Sequence, residues 1–304
     1  MQVIEVQLND LPVLEASSAC IGYFDGMHVG HMKLVSEMIL EANNKGLKKS
    51  LITFHPDPWV VLKNIKNVSH ITSMEERIEI GRSLNLDYWI IIPFTKELSQ
   101  MSNIEFEMML SKLNVQSLIC GFDYSYGYKG SGNIHTLKQQ TLFNVIEVES
   151  VKFDNEKISS TRIETVLNNG NVTEMIHLLG RYYSIKGEVI TGRSLGKTIG
   201  FPTANIKCKF NSILPKPGVY IGYVNVNQKT YRSMINIGNN PTFNYQDQLS
   251  MEAHILDFNS DIYGKDIEVT FVDRLRDEMK FNSKEELISQ LNLDIEKAKQ
   301  LNLE

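Results

Sequence analysis

The chain has 304 residues, more than a usual single domain, so two modules of roughly 100 to 200 residues each are expected. Apolar residues make up 42% and the formal net charge is −5, an ordinary globular balance that excludes a broadly cationic nucleic-acid or membrane surface and leaves any anionic ligand to be held by local positive charge. The three cysteines, Cys20, Cys120 and Cys208, lack metal or disulfide spacing, and there is neither a leader pattern nor an apolar run of membrane-spanning length, so a cytoplasmic protein is expected.

Residues 18–24 read as a strand that turns at Asp25-Gly26 into a helix over 29–44. Strands follow at 49–54, 88–94, 117–121 and 145–151. Between them, Ser73-Met74-Glu75-Glu76 is a capping box and Ser102-Asn103-Ile104-Glu105 starts another helix. Strands apolar on both faces, alternating with helices, argue for a parallel sheet covered by helices, whose ligands sit at the strands' carboxyl ends. A helical stretch over 160–179, interrupted at Asn169-Gly170-Asn171, leads to Gly180-Arg181. Beyond it, short runs at 182–191, 219–225, 229–237, 249–257 and 266–273 read as a small antiparallel barrel. Leu287, Ile288, Leu291, Ile295 and Ala298 give a final helix an apolar stripe that packs on that barrel. The division falls at residues 1–180 and 181–304.

Two stretches carry chemistry. In the first, Gly22 to His31, the imidazoles of His28 and His31 project from one face of a helix start, beside backbone N–H groups suited to phosphate. Taken alone, His-x-x-His is equally a cap plus a surface residue. In the second, Gly192, Gly196 and Gly200 allow close backbone approach while Arg193 and Lys197 add charge, an arrangement that fits either a phosphate cradle or a plain turn. Thr203 and Asn205, two apart, offer oxygens on one side of an extended segment to a hard cation such as Mg²⁺.

The Gly-Phe-Pro-Thr-Ala-Asn at 200–205, Pro217-Gly218-Val219-Tyr220, Asn236 to Phe243, Glu252-Ala253-His254 and Leu275 to Phe281 resemble riboflavin kinase. Gly22 to His31, Thr53-Phe54 with Pro56 and Pro58, Gly121-Phe122-Asp123-Tyr124 and Ile158-Ser159-Ser160-Thr161 resemble the nucleotidyltransferase module of prokaryotic FAD synthetases. Together they cover essentially the whole chain, which resembles the bifunctional riboflavin kinase/FMN adenylyltransferase family. The resemblance implies a Rossmann-like α/β/α nucleotidyltransferase module, followed by a six-stranded Greek-key kinase barrel with a C-terminal helix. It implies ATP as co-substrate, riboflavin and FMN as flavin substrates, and Mg²⁺. It assigns catalytic roles to His28, His31 and Glu252 and phosphate contacts to Gly22, Phe24, Asp25, Gly26, Gly30, Ser159, Ser160 and Thr161, with Gly192, Arg193, Gly196, Lys197 and Gly200 in the barrel. It also assigns flavin contacts to Asp123, Asn236 and Arg276, and cation ligands to Thr203 and Asn205. For Glu252 an exposed strand residue, and for Arg276 an ion pair with Asp277 or Glu278, are the plainer readings.

The chain departs from the family pattern at Asp57, where the family has His, at Tyr128, where it often has Arg, and at Glu164, where it has Arg beside the triphosphate. One charge pair near 4 Å at an effective dielectric of 20 is worth about 4 kcal/mol, so reversing the sign at 164 bears directly on adenylyl transfer. Arg162 lies about 200° around the helix from 164, while Lys129 is a second candidate cation. A kinase whose N-terminal module only binds nucleotide, or a flavin-binding regulator without catalysis, are the alternatives.

Overall fold

The computed structural model describes residues 1–66, 68–192, 195–239 and 249–300, without the side chains of Leu195, Lys197 and Asn239. It divides into two compact units, Met1–Ser160 and Thr161–Glu304.

The first unit is built on six parallel strands: β1 Gln2–Glu5, β2 Ser17–Ile21, β3 Lys48–His55, β4 Tyr88–Pro93, β5 Val115–Gly121 and β6 Asn144–Val148, in the spatial order β1-β4-β3-β2-β5-β6. Helices α1 (Val29–Lys45), α2 (Met74–Ser83) and α3 (Asn103–Lys112) are among those that join them. Each sheet face supports its own core. Cys20, Leu51, Trp89, Ile91 and Ile119 pack with Leu34, Val35 and Met38 of α1, whereas Ala19, Ile21, Ile52, Ile90 and Cys120 pack with Phe106, Met109 and Leu110 of α3. Successive strand residues face opposite ways, so a sheet covered on both sides needs an uninterrupted apolar run, which is what made β2 to β5 readable.

β1 was not expected: it lies at the sheet edge, where only Ile4 of its four residues is buried, so it carries no apolar run. The first expected strand stops at Ile21, because Phe24 takes a left-handed conformation (φ 58°). The last stops at Val148, and a short hairpin pairs Lys152–Phe153 with Glu156–Lys157. Chain order reverses between β2 and β5, which makes the loops after these two strands the natural ligand crevice.

In the second unit, helix α4 (Ser160–Asn168, its first residue in unit 1) stops before Gly170 (φ 79°), and a helical turn at Met175–Leu179 follows. A closed antiparallel barrel then forms from β7 Tyr183–Ile190, β8 Ala204–Cys208, β9 Gly218–Val226, β10 Lys229–Asn239, β11 Leu249–Ile255 and β12 Asp266–Arg276, in the order β7-β8-β11-β10-β9-β12. Strands β9, β10 and β11 form a meander and β8 returns beside β11, a Greek key. β8 is not among the five runs expected for the barrel; its burial alternates weakly, and five residues give periodicity little to work on. The closing helix α5 (Lys284–Gln300) sets Leu291, Ile295 and Ala298 against Ile221, Met234 and Leu256 of the barrel.

Candidate active sites

Beyond β2 the chain makes one 3-10 turn, Asp25–Met27, before α1. Gly26, at φ 80°, donates its N–H to the Thr72 hydroxyl at 2.8 Å, and a Cβ there would lie 3.1 Å from Ile71. Asp25, expected among the phosphate contacts, turns inward instead. Its carboxylate accepts the N–H groups of Ile71 (3.1 Å) and Thr72 (3.0 Å), the Thr72 hydroxyl (3.2 Å) and the Arg77 guanidinium (2.8 Å). Burial pushes this carboxyl up, but His70, Arg77 and the backbone donors outweigh it and hold it below its usual value. An ionised acid occupied in this way repels a phosphate rather than binding one; Asp25 fastens the loop to the 70–77 segment.

His28 caps α1. Its Nδ1 accepts the His31 N–H at 3.2 Å, which places the proton of the neutral ring on Nε2, and the two imidazoles stack with centroids 3.6 Å apart. A Cβ on Gly30 would lie 3.1 Å from the His28 ring, so glycine is what lets that ring lie flat over the helix start. Burial, then the neighbouring His28, Arg77 and Lys157, hold the His31 imidazole well below its usual value, so it stays uncharged at neutral pH. The Ser160 hydroxyl donates to the Asp25 carbonyl at 3.1 Å, bringing together two clusters far apart in sequence. Gly22 extends the pairing of β2 by donating to Ile52, and Phe24 is fully buried, so both shape the loop from behind. Thr161 accepts on its backbone carbonyl from the Thr165 hydroxyl.

Asp123, expected at the flavin, is exposed and ion-paired with Lys157, whose ammonium also lies 5.0 Å from the Phe122 ring centroid. Lys157 was missed in the sequence; its signal was a cation immediately before Ile158-Ser159-Ser160. Lys129 stands over the exposed Tyr128 ring at 5.2 Å. Arg162 is bound to Glu174 at 2.7 Å, both partly buried, so its charge is already matched. Asp57 is buried; its Oδ2 lies 3.7 Å from His70 Nδ1 and has no hydrogen-bond partner among the described residues, while its carboxylate interacts with the Tyr23 hydroxyl.

On the barrel, antiparallel register sets Asn205 opposite Glu252 and Glu252 opposite Asn236, a row across β8, β11 and β10. Directly opposed residues share a face. The flanking Met251, Ala253, Ile235 and Ile237 fill the interior, so the polar row lies on the outside of the barrel. The Thr203 hydroxyl donates to Glu252 Oε2 at 3.3 Å. Above them, a Cβ on Gly192 would fall 2.0 Å from the Asn205 amide, so the glycine loop touches the row and leaves no room for a side chain. Gly196 accepts the N–H groups of Ile199 and Phe201, and Gly200 turns at φ 88°. Arg193 and Asn240 lie outside the described residues, as does the side chain of Lys197. Arg276, expected among the flavin contacts, is held at the side of α5. Its guanidinium grips the buried Asp294 of α5 through Nε at 3.0 Å and a terminal nitrogen at 2.7 Å, so it anchors the helix.

A riboflavin kinase family model matches residues 179–302, and an FAD synthetase family model matches residues 11–162. The bifunctional riboflavin kinase/FMN adenylyltransferase of Listeria monocytogenes is 40% identical over 278 residues, 90% of this chain and 88% of that protein. The chain belongs to the bifunctional riboflavin kinase/FMN adenylyltransferase family. The Bacillus subtilis member is 37% identical, covering 93% of this chain and 91% of its own. A crystal structure described as a macrolide-efflux protein from Streptococcus pneumoniae superposes with a TM-score of 0.92, at 31% identity and 99% coverage of both chains. Among the described residues of the present family member, no helix is long and apolar enough to cross a membrane. For this riboflavin kinase/FMN adenylyltransferase homologue, Gly30→Ala is expected to displace the His28 ring and reduce FAD formation about tenfold, with FMN formation unchanged. Equal FAD yields from the two proteins would show that the stacked histidine pair is not needed.

Proposed function

We propose that this chain makes FMN from riboflavin and ATP on its barrel, residues 181–304, and makes FAD from FMN and ATP on the α/β module, residues 1–180. The observation that carries the kinase reading is the Asn205–Glu252–Asn236 row, with the Thr203 hydroxyl on the Glu252 carboxylate. Glu252 takes the proton of the riboflavin 5′ hydroxyl as that oxygen attacks the γ-phosphorus of ATP and ADP leaves. Among the described residues no group of three or more His, Cys, Asp or Glu is placed to hold a metal. The Thr203 hydroxyl and Asn205 amide oxygens suit a hard cation, and they would hold Mg²⁺, which when bound neutralises phosphate charge. The Gly192, Gly196 and Gly200 backbone, with Arg193 and Lys197, receives the ATP phosphates, and Asn236 meets the flavin side.

In the α/β module an FMN phosphate oxygen attacks the α-phosphorus of ATP and pyrophosphate leaves. His28, His31, Gly30 and the start of α1 hold the phosphates, with Ser159, Ser160 and Thr161 beside them. The backbone N–H groups at the start of α1 supply the positive end that the uncharged His31 does not. Curated relatives spanning both modules favour two activities over a lone kinase or a flavin-binding regulator. ATP-dependent work and unpaired cysteines fit a cytoplasmic protein.

Incubation with riboflavin, ATP and Mg²⁺, followed by separation of the flavins, tests the reading: FMN and FAD together support it, and FMN alone overturns its second half. Glu164→Arg should raise FAD formation at least about tenfold, roughly 1.4 kcal/mol at the transition state, and leave riboflavin phosphorylation unchanged. Robust FAD synthesis that does not respond to Glu164→Arg would mean that Lys129 already meets the need for charge.

A further inference from the structure

The strand that delivers Thr203 to Glu252 starts one residue too late to hold it. β8 opens at Ala204, paired with Ala253, and the same register would bring Thr203 opposite His254 and carry Pro202 beyond it. Pro202 has no N–H, so the ladder gains nothing by continuing. A side chain takes over: His254 Nδ1 lies 2.8 Å from the Pro202 carbonyl oxygen. A carbonyl only accepts, so Nδ1 carries the hydrogen. The Phe201 ring meets the same imidazole edge-on, with centroids 5.8 Å apart. On the other side, Phe201 donates its N–H to the Gly196 carbonyl at 2.9 Å. The segment 201–203 is thus slung between the glycine loop and His254. His254 lies two residues from Glu252 on the same outer face of β11, while Ala253 and Ile255 point inward.

We infer that His254 is a positioning residue for phosphoryl transfer: through the Pro202 carbonyl it fixes the 201–203 segment so that the Thr203 hydroxyl stays on the Glu252 carboxylate. The inference rests on the kinase reading of the barrel. His254 touches neither the proposed base nor a reacting atom, and acts only through this segment.

Three substitutions test it. The side-chain amide nitrogen of His254→Asn falls where Nδ1 stood, that of His254→Gln reaches the Nε2 position, and His254→Leu keeps bulk without a donor. Leu and Gln are expected to lower kcat for FMN formation and weaken ADP binding in Mg²⁺, measured by calorimetry, by about tenfold each, the scale of one lost hydrogen bond. Asn is expected to stay within about twofold of the parent in both. A role confined to stability would instead lower the melting temperatures and leave kcat and ADP affinity of the folded fraction alone. Leu with parental kinetics and ADP affinity, or Asn as impaired as Leu, overturns the inference; if Leu does not fold, Asn against Gln decides. A parent protein that makes no FMN sinks the kinase reading, and the calorimetric ranking of the variants still decides for or against His254.

Discussion

Glu252→Gln is expected to depress FMN formation by about 10² to 10⁴-fold while flavin and ADP binding stay nearly intact. Glutamine keeps the shape of the side chain and can still accept the Thr203 hydroxyl, which donates to Glu252 at 3.3 Å. It also keeps the cross-strand places opposite Asn205 and Asn236. What it loses is the capacity to take a proton, and in a transfer that relies on positioning and charge, removing that acceptor acts on kcat rather than on KM. Stopped-time assays of FMN with saturating riboflavin and ATP give the number. A mutant with full turnover would remove Glu252 from the mechanism and leave the polar row as a binding feature.

Asp25→Asn is expected to destabilise the N-terminal unit by about 3 to 5 kcal/mol, because it strands the Arg77 guanidinium inside the protein without its counter-charge. Arg77 and Asp25 are almost wholly buried and 2.8 Å apart. With domain stabilities of roughly 5 to 15 kcal/mol, such a loss is a third or more of the total for many domains. The pH dependence has a definite sign. The Asp25 carboxyl is held below its ordinary value, so it contributes stability above that value, and the contribution is lost as pH falls through the folded-state value. The mutant should therefore lie well below the parent at neutral pH and converge with it in acid. Thermal melting across that range, with FAD formation followed alongside, checks both parts; parallel curves offset by less than about 1 kcal/mol would show that Arg77 is adequately held by Thr72 and Tyr23.

How far the sequence could be read depended on whether the information lay within one element. That His28 and His31 lie side by side was legible because they stand three apart at one helix start. The inward contacts of Asp25 were not legible because its partners, Ile71, Thr72 and Arg77, are supplied by another segment that only the folded sheet brings near. The glycine loop and Glu252 were recognisable by their motifs, but that Asn205, Glu252 and Asn236 stand in one row is a matter of register, which motifs do not encode. Arg276 could have been placed better. Asp294 lies three residues after Leu291 and four before Ala298, on the apolar stripe of α5, and an acid on that stripe announces a buried cation partner. Edge strand β1 offered one buried residue, too little for any periodicity.

The cysteines give each unit its own clock. Cys20 and Cys120 face opposite sides of the same sheet and are wholly buried, and burial pushes the Cys20 thiol up and that of Cys120 up to about 12. Cys208, in β8 of the barrel, is half-buried and shifted in the same direction by burial. Alkylating reagents attack the thiolate, so at neutral pH the wholly buried Cys20 and Cys120 react when the surrounding structure opens and not before, while the half-buried Cys208 is slowed rather than shut off. Labelling kinetics resolved by peptide mass therefore report local opening of the parallel sheet at two positions and accessibility of the barrel at a third, without any introduced probe. A nucleotide or flavin retained by one unit slows the labelling of that unit's thiols, and the ratio of rates with and without ligand measures its binding energy in place.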